Sequence, residues 1–528
     1  MMAAVASTLP NKLERTDRAE VIKSYLLYIL CACLYILPFM RIYMLGTDEG
    51  TLDYGAVRVV HGQVFARDFF EVIGPGTFYW LAGFFKLFGI SFLATRICLF
   101  LTSLGTALSM YFLSRRICSK YRALPSILLA GTYFGGLWPA ISHHVDSNFF
   151  ALLAIVCMAL WQDRHRRGLL LAAGMSAGLT TAFLQPKGML LLCAFLVWLF
   201  VLFRRGMVPL SGLGILIVGY LSVIGLVLMY FWSKGALSSL IYVNVVWPSQ
   251  NYGGVNSVSY AHGLISNYWD HWVIAKSGFR WTVAMATVLV VPILFIAALP
   301  VLLPALGARY KWHLARVEIL LYWLCGSALW LAEIHRKEMA HLVFGSPLLI
   351  ILCIHFLAEY RGKIADYSLQ LLGISAVCLI GFNLLCALFA THPTTTSVGS
   401  VLTFQKIPAL VALERRITPG EEIFAYPYCP RYYFLASATN PTPYSILAYN
   451  YNTPAQFHEV VRILEQHEVR YVMWDTNFAQ LTAAVFPGSQ RPPSGGFIIE
   501  PYLESHYNVI QVIEGTRIME RKSEDDAN

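Results

Sequence analysis

The sequence predicts a polytopic α-helical membrane protein with a small extracytoplasmic α/β domain at its C-terminal end. Three observations carry that prediction. The chain of 528 residues is 57% hydrophobic and only 13% charged, whereas a soluble domain is about 45–50% apolar and about 25% charged; its mean hydropathy is +0.58. The apolar residues are gathered into runs of membrane length. From residue 392 onward that pattern stops, and Pro, Asn, Tyr and charged residues increase.

Taken in order, the first run is Ile22–Leu45. Crossing a bilayer takes about 20 apolar residues. The run is too long for a secretory signal and lacks a small-residue cleavage site, so it reads as a retained helix. Further runs lie at 91–114, 123–138, 146–161, 168–184, 188–203, 209–233, 281–306, 317–333, 342–358 and 369–391. Basic residues fall in alternate loops: Arg115, Arg116, Lys120 and Arg122; Arg164, Arg166 and Arg167; Arg204 and Arg205; Arg309, Lys311 and Arg316; Arg361 and Lys363. Positive charge marks the cytoplasmic side. These loops share that side with Lys12, Arg15, Arg18 and Lys23 only if residues 75–114 cross once. Segment 75–89 is apolar but short, and is expected to be re-entrant or interfacial.

About eleven spans result, with the N-terminus inside and the C-terminus outside. The expected organisation is a cytoplasmic tail (1–21), a seven-span catalytic module (22–233) with its first external loop at 46–90, a long external loop (234–280), a four-span module (281–391) and an extracytoplasmic domain (392–528). In the last, Glu421–Tyr428 reads as a strand and turn, Gln456–His467 as an amphipathic helix, Val469–Trp474 as a strand, and Tyr507–Val512 and Arg517–Glu520 as further strands. The tail from Arg521 reads as disordered. The net charge of +9 is spread over short loops, which fits membrane orientation rather than nucleic-acid binding. The eleven Cys show no CxxC or Cys/His ligand spacing, so neither a zinc site nor a disulfide framework is read. Cys118 and Cys429 lie outside the runs as free thiols. No Asn-X-Ser/Thr acceptor occurs, in keeping with a bacterial envelope.

This topology puts the chemistry-bearing side chains on the external face. Asp48 and Glu49 stand just past the first run, where carboxylates are costly unless they serve a purpose. Asp48 reads either as a general base or as a cap of the helix that starts there, and Glu49 as its assistant, a cation ligand or a loop-shaping residue. Arg67 and Asp68 read as site residues or as a mutual salt bridge. His144 and Asp146 open a span, where Asp146 is a site residue or a cap. Lys187 follows Pro186 at a helix start; a cation there opposes the helix dipole, which suggests an anion ligand. Arg336, Lys337 and His341 form a second cationic group that either meets phosphate or snorkels to the interface. The aromatic loop from Tyr242 to Trp269 reads equally as a sugar-stacking surface or an interfacial belt.

These residues resemble the GT-C membrane glycosyltransferases, in particular the bacterial branch related to dolichyl-phosphate-mannose protein mannosyltransferases and the lipid A aminoarabinose transferase. The resemblance rests on Asp48-Glu49-Gly50, Tyr54-Gly-Ala, Gly62-Gln-Val-Phe-Ala-Arg67-Asp68-Phe69-Phe70 and Gly74-Pro75-Gly76. It is joined by His144-Val-Asp146-Ser-Asn148, Gln185-Pro-Lys187-Gly188 and Arg336-Lys-Glu-Met-Ala-His341. It covers about residues 20–360 and implies an inverting transfer of sugar from a polyprenyl-phosphate donor to a cell-envelope acceptor on the outer face of a bacterial inner membrane. It implies Asp48, with Glu49, as catalytic residues, and Lys187, Arg336 and His341 as donor-phosphate ligands. No metal is obligatory, though a divalent cation is compatible with carboxylates and His near Asp48. A transporter or lipid-linked-sugar flippase is the alternative, but such proteins place ionisable residues mid-membrane in repeated, broken helices. A non-catalytic scaffold is the third.

Overall fold

The computed structural model describes residues 18–44, 47–118, 120–132, 138–252, 257–261, 278–309, 316–360, 362–448, 451–477 and 498–523. Each apolar run carries a helix. They are α1 (Arg18–Ile36), α4 (Phe92–Ile117), α5 (Leu124–Thr132), α6 (His143–Arg164), α7 (Arg167–Phe183), α8 (Gln185–Arg204), α9 (Ser211–Ser233), α11 (Gly278–Arg309), α12 (Val317–Glu333), the pair α13 (Met339–Gly345) and α14 (Pro347–Tyr360), and α15 (Lys363–Ala387). Between them lie α2 (Thr47–Val60), α3 (Gly76–Phe88) and α10 (Leu237–Ile241). Among the described residues, seven helices are long and apolar enough to cross a membrane, and an eighth is added if α13 and α14 count as one span bent by 71°. Pro347 opens α14 and has no N–H to continue the preceding helix, which places the break there. The chain is an integral membrane protein.

The first run departs from a simple span. Its α-helix starts at Arg18 and ends at Ile36, and Pro38 converts Leu37–Arg41 to a 3₁₀ turn. Helix α3 has 13 residues, about 20 Å, short of the ~30 Å hydrocarbon core. At one end of the bundle Arg116 bonds Asp163 (2.6 Å) and Glu318, tying α4 to α6 and α12. At the other end of α4, Arg96 pairs with Glu49.

The C-terminal domain begins with an antiparallel hairpin, β1 (His392–Thr396) and β2 (Gly399–Thr403). A four-stranded sheet follows in the order β3-β4-β6-β5, from β3 (Ile423–Tyr426), β4 (Tyr471–Asp475), β5 (Tyr507–Ile513) and β6 (Thr516–Arg521). Strands β3 and β4 are parallel, and the rest pair antiparallel. Helices α16 (Pro408–Glu414), α17 (Arg431–Leu435), α18 (Pro454–Gln466) and α19 (Ile499–His506) complete the domain. α18 opens with a Thr453/Gln456 capping box, so two otherwise unpaired N–H groups are satisfied reciprocally. The sheet strands and the amphipathic helix fall where the sequence places them. Arg521, expected to begin a disordered tail, instead ends β6, because its backbone N–H donates to Arg470 (2.9 Å); residues 524–528 lie outside the described set. Cys118 and Cys429 are free but buried.

This domain is docked on the first loop by its backbone. Tyr43 N–H donates to Leu402 (2.8 Å), Phe92 N–H to Val398 (2.9 Å) and Phe70 N–H to Pro443 (2.9 Å). The Arg58 guanidinium donates to the carbonyls of Asn440 (2.9 Å) and Thr442 (2.5 Å), and Asn440 N–H donates to the Tyr54 hydroxyl (2.6 Å). A Cβ on Gly50 would stand 2.6 Å from Arg431 N, so only glycine lets α2 and α17 approach this closely. Of the aromatic loop, Trp247 is buried against the rings of Phe70 and Tyr451. Tyr260 is exposed, with Lys337 5.9 Å from its ring. Tyr268 and Trp269 lie outside the described residues.

Candidate active site

Helix α2 presents acids on two faces. Glu49 and Asp53, four residues apart, share one face. Glu49 pairs with Arg96 of α4 at 2.5 Å, both side chains 1% exposed, and Arg96 also donates to the Ile42 carbonyl (2.6 Å). Asp53 accepts from the Thr95 hydroxyl (2.8 Å). This face clamps α2 to α4. Asp48 and Thr51, three apart, share the other. Asp48 reaches solvent, and its Oδ1 accepts from the Tyr428 hydroxyl (3.1 Å). Thr51 in turn donates to Tyr428 (3.1 Å). The protein crowded around Asp48 raises its pKa from the ordinary value; the hydrogen bond from Tyr428 and the field of Arg336 only partly offset that rise.

Glu71 stands beside this acid. It is 5% exposed, hydrogen-bonds Ser445, and lies within the field of Arg58 and Asp48. Burial, only partly offset by Ser445, pushes its carboxyl up to about 8, and its Oε1 has no hydrogen-bond partner. Phe70, one residue earlier, bridges to Tyr444 on the C-terminal domain, and that pairing carries Glu71 alongside Ser445.

The charges that act on Asp48 from the other side belong to residues 333–341. Glu333, the last residue of α12, is 1% exposed and receives three groups: Lys187 Nζ at 2.5 Å, His144 Nδ1 at 3.1 Å and His341 Nδ1 at 2.9 Å. Lys187 is fully buried and also donates to Ser147 (3.2 Å) and Asn148 (2.9 Å). Its three donors are therefore all engaged. Beyond this knot, Glu338 binds Arg336 (2.8 Å) and His341 Nε2 (3.3 Å). Burial would raise the Glu338 carboxyl, but His341 and Arg336 outweigh it and hold the group well below the usual carboxylate range. The backbone of Val258 pairs with His335 and Lys337 (3.2 and 3.1 Å), so Val258 braces this segment. Ligand atoms of His144, Glu333 and His341 lie within 4.8 Å of one another, a spacing a cation can use, and Lys187 already supplies positive charge to that carboxylate.

The expected site residues thus sort by position. Asp48 is exposed, with Arg336 and His341 acting on it electrostatically. Lys187 and His144 are sealed behind, in the Glu333 knot. Glu49 faces away, into the Arg96 pair. Asp146 is 2% exposed and lies beside Thr77. Arg67 and Asp68 form an exposed mutual pair at 2.8 Å; Asp68 also accepts from Val64 N–H (2.7 Å) and Arg67 donates to the Lys234 carbonyl (2.7 Å), which fixes the loop. The sequence by itself assigns no role to Glu71, Glu333, Thr51 or Tyr428. The spacing of Asp48 and Thr51 was readable, but their common partner lies about 380 residues away in sequence.

No protein-family model and no curated protein sequence matches the chain. Among solved structures it is similar to ArnT from Cupriavidus metallidurans bound to undecaprenyl phosphate (12% identity, TM-score 0.53, covering 95% of this chain and 98% of that one). It is similar also to the same protein in the apo state (11% identity, TM-score 0.55, covering 94% and 98%). The likeness runs through both the helical bundle and the C-terminal domain, and it shows that this chain has the fold of ArnT.

Proposed function

We propose that the protein is a glycosyltransferase that moves a sugar from a polyprenyl-phosphate donor to a cell-envelope acceptor, with inversion, at the outer face of a bacterial inner membrane. The observation that carries this reading is Asp48: a solvent-reached carboxylate that lies within the field of Arg336 and His341. The ArnT fold, and the undecaprenyl phosphate bound to one of its structures, support the lipid-phosphate donor.

Asp48 takes the proton from the acceptor's nucleophile as that atom bonds to the anomeric carbon. The anomeric carbon–oxygen bond to phosphate breaks on the opposite side, and polyprenyl phosphate leaves with the electron pair. Negative charge grows on that phosphate, and a fixed guanidinium stabilises it. Arg336 takes this role. Lys187 and His341 act through Glu333, holding the 333–341 segment in place, and charge at the phosphate comes from side chains rather than an obligatory metal.

The test is mass spectrometry of polyprenyl-phosphate sugars and envelope glycans from cells carrying the wild type, Asp48→Asn or a deletion. Accumulation of one polyprenyl-phosphate sugar with loss of one glycan residue, alike in both mutants, is expected and identifies donor and acceptor together. A change in the deletion strain alone removes Asp48 as base and favours transport.

A further inference from the structure

The C-terminal domain reaches into the site through one hydroxyl. Tyr428 follows β3 by two residues, is buried (8% exposed), and meets α2 at both members of the Asp48/Thr51 pair: it receives from Thr51 and donates to Asp48 Oδ1, each at 3.1 Å. Receiving from Thr51 turns the Tyr428 hydrogen outward, so the phenol can serve Asp48 as a donor. The docking bonds of Arg58, Tyr54 and Phe70, and the glycine at position 50, keep this turn against α2.

We propose that Tyr428 is a positioning residue for Asp48: a hydroxyl delivered by the C-terminal domain fixes one carboxylate oxygen and leaves the other for the acceptor, so that transfer depends on the docked domain. This rests on Asp48 being the base. A carboxylate in a crowded site, with Glu338 and Glu71 among its neighbours, is held ionised by the few groups that favour its charge. Those groups are Tyr428 by hydrogen bond, and Arg336 and His341 by field. Tyr428 itself faces Asp48 and Glu71, and Glu71 faces Arg58 and Asp48. A hydrogen bond to the charged form favours it, so removing this one makes Asp48 harder to ionise. The proton then leaves Asp48 only at higher pH, and the acid limb of the reaction moves up.

The experiment uses the full-length protein and membranes of a deletion strain, which retain both the accumulated polyprenyl-phosphate sugar and the unmodified acceptor. Release of polyprenyl phosphate is followed by mass spectrometry from pH 4 to 9 for the wild type, Tyr428→Phe, Thr51→Val and Asp48→Asn. Tyr428→Phe is expected to fall about ten-fold at its acid limb, the scale of one hydrogen bond to a charged group, and to approach the wild-type rate as pH rises. Thr51→Val is expected to shift the same limb by less, since it only frees the Tyr428 hydroxyl to turn. A Tyr428→Phe profile superposable on the wild type overturns the proposal. So does an equal loss at every pH in both variants, which would make the contact one of packing alone. Release that persists in Asp48→Asn instead overturns the choice of base, and is read independently of either tyrosine result.

Discussion

The surroundings of Asp48 and the Glu333 knot are built from the same residue types and differ in how completely their charges are paired. In the knot every described charge has a near partner: one carboxylate meets Lys187, His144 and His341, and the lysine's remaining donors go to Ser147 and Asn148. Such a network holds helices in register. Around Asp48 the balance is incomplete. One carboxylate is open to water, and beside it a buried carboxyl keeps an oxygen without a partner. Unspent polar capacity at a buried boundary is costly, and a site that must bind something transiently is where such cost is tolerated. We read the paired cluster as architecture and propose the chemistry for the open one.

This comparison is broken most sharply by Asp48→Asn, which is expected to lower transfer by about 10²–10⁴-fold while leaving the thermal midpoint unchanged. Glu333→Ala is its mirror. It strands a buried Lys187, and loss of one member of a buried pair costs about 3–5 kcal/mol, so a lowered midpoint in detergent is expected before any effect on transfer can be read. Equal midpoints for the two variants would refute the contrast between the regions. Gly50→Ala probes the join between them: its new Cβ meets Arg431 N at 2.6 Å, and overpacking of this kind costs about 1–3 kcal/mol. Both the midpoint and transfer should fall, because the turn bearing Tyr428 is displaced.

Glu71 supplies a pH test with a definite sign. Its pKa is raised in the folded protein to about 8, so the stability it contributes is fully present below the ordinary carboxylate value and is lost as pH rises through about 8. Glu71→Gln should flatten the decline of the thermal midpoint between pH 5 and 8, and an unchanged slope would mean Glu71 is ionised throughout. Arg67→Ala should have the smallest effect: the pair with Asp68 is exposed, exposed pairs contribute little, and neither midpoint nor transfer is expected to change measurably.

Much of the architecture was legible because membrane insertion and strand formation are local demands. A run such as 188–203 is apolar whatever it later touches, and α8 forms over it. The short apolar, aromatic-rich run in Val469–Trp474 and the apolar face of Gln456–His467 likewise announce β4 and α18. The hairpin at 392–403 was not announced: its Thr-rich strands carry a weak pattern, and what holds them against the bundle is backbone bonding to Tyr43 and Phe92.

For the site, sequence alone determined that an acidic pair follows the first helix and that basic and His residues precede a later one, since composition and spacing along the chain suffice for that. Only the tertiary structure decided which member of each set is available. Glu49 is turned to Arg96 and Asp48 to Tyr428 by the pitch of one helix. Lys187 is taken by Glu333, 146 positions along the sequence. Tyr428 reaches Asp48 across 380 positions. A residue's partners fix whether its charge is spent or free, and those partners are set by packing between distant segments, which no local pattern records.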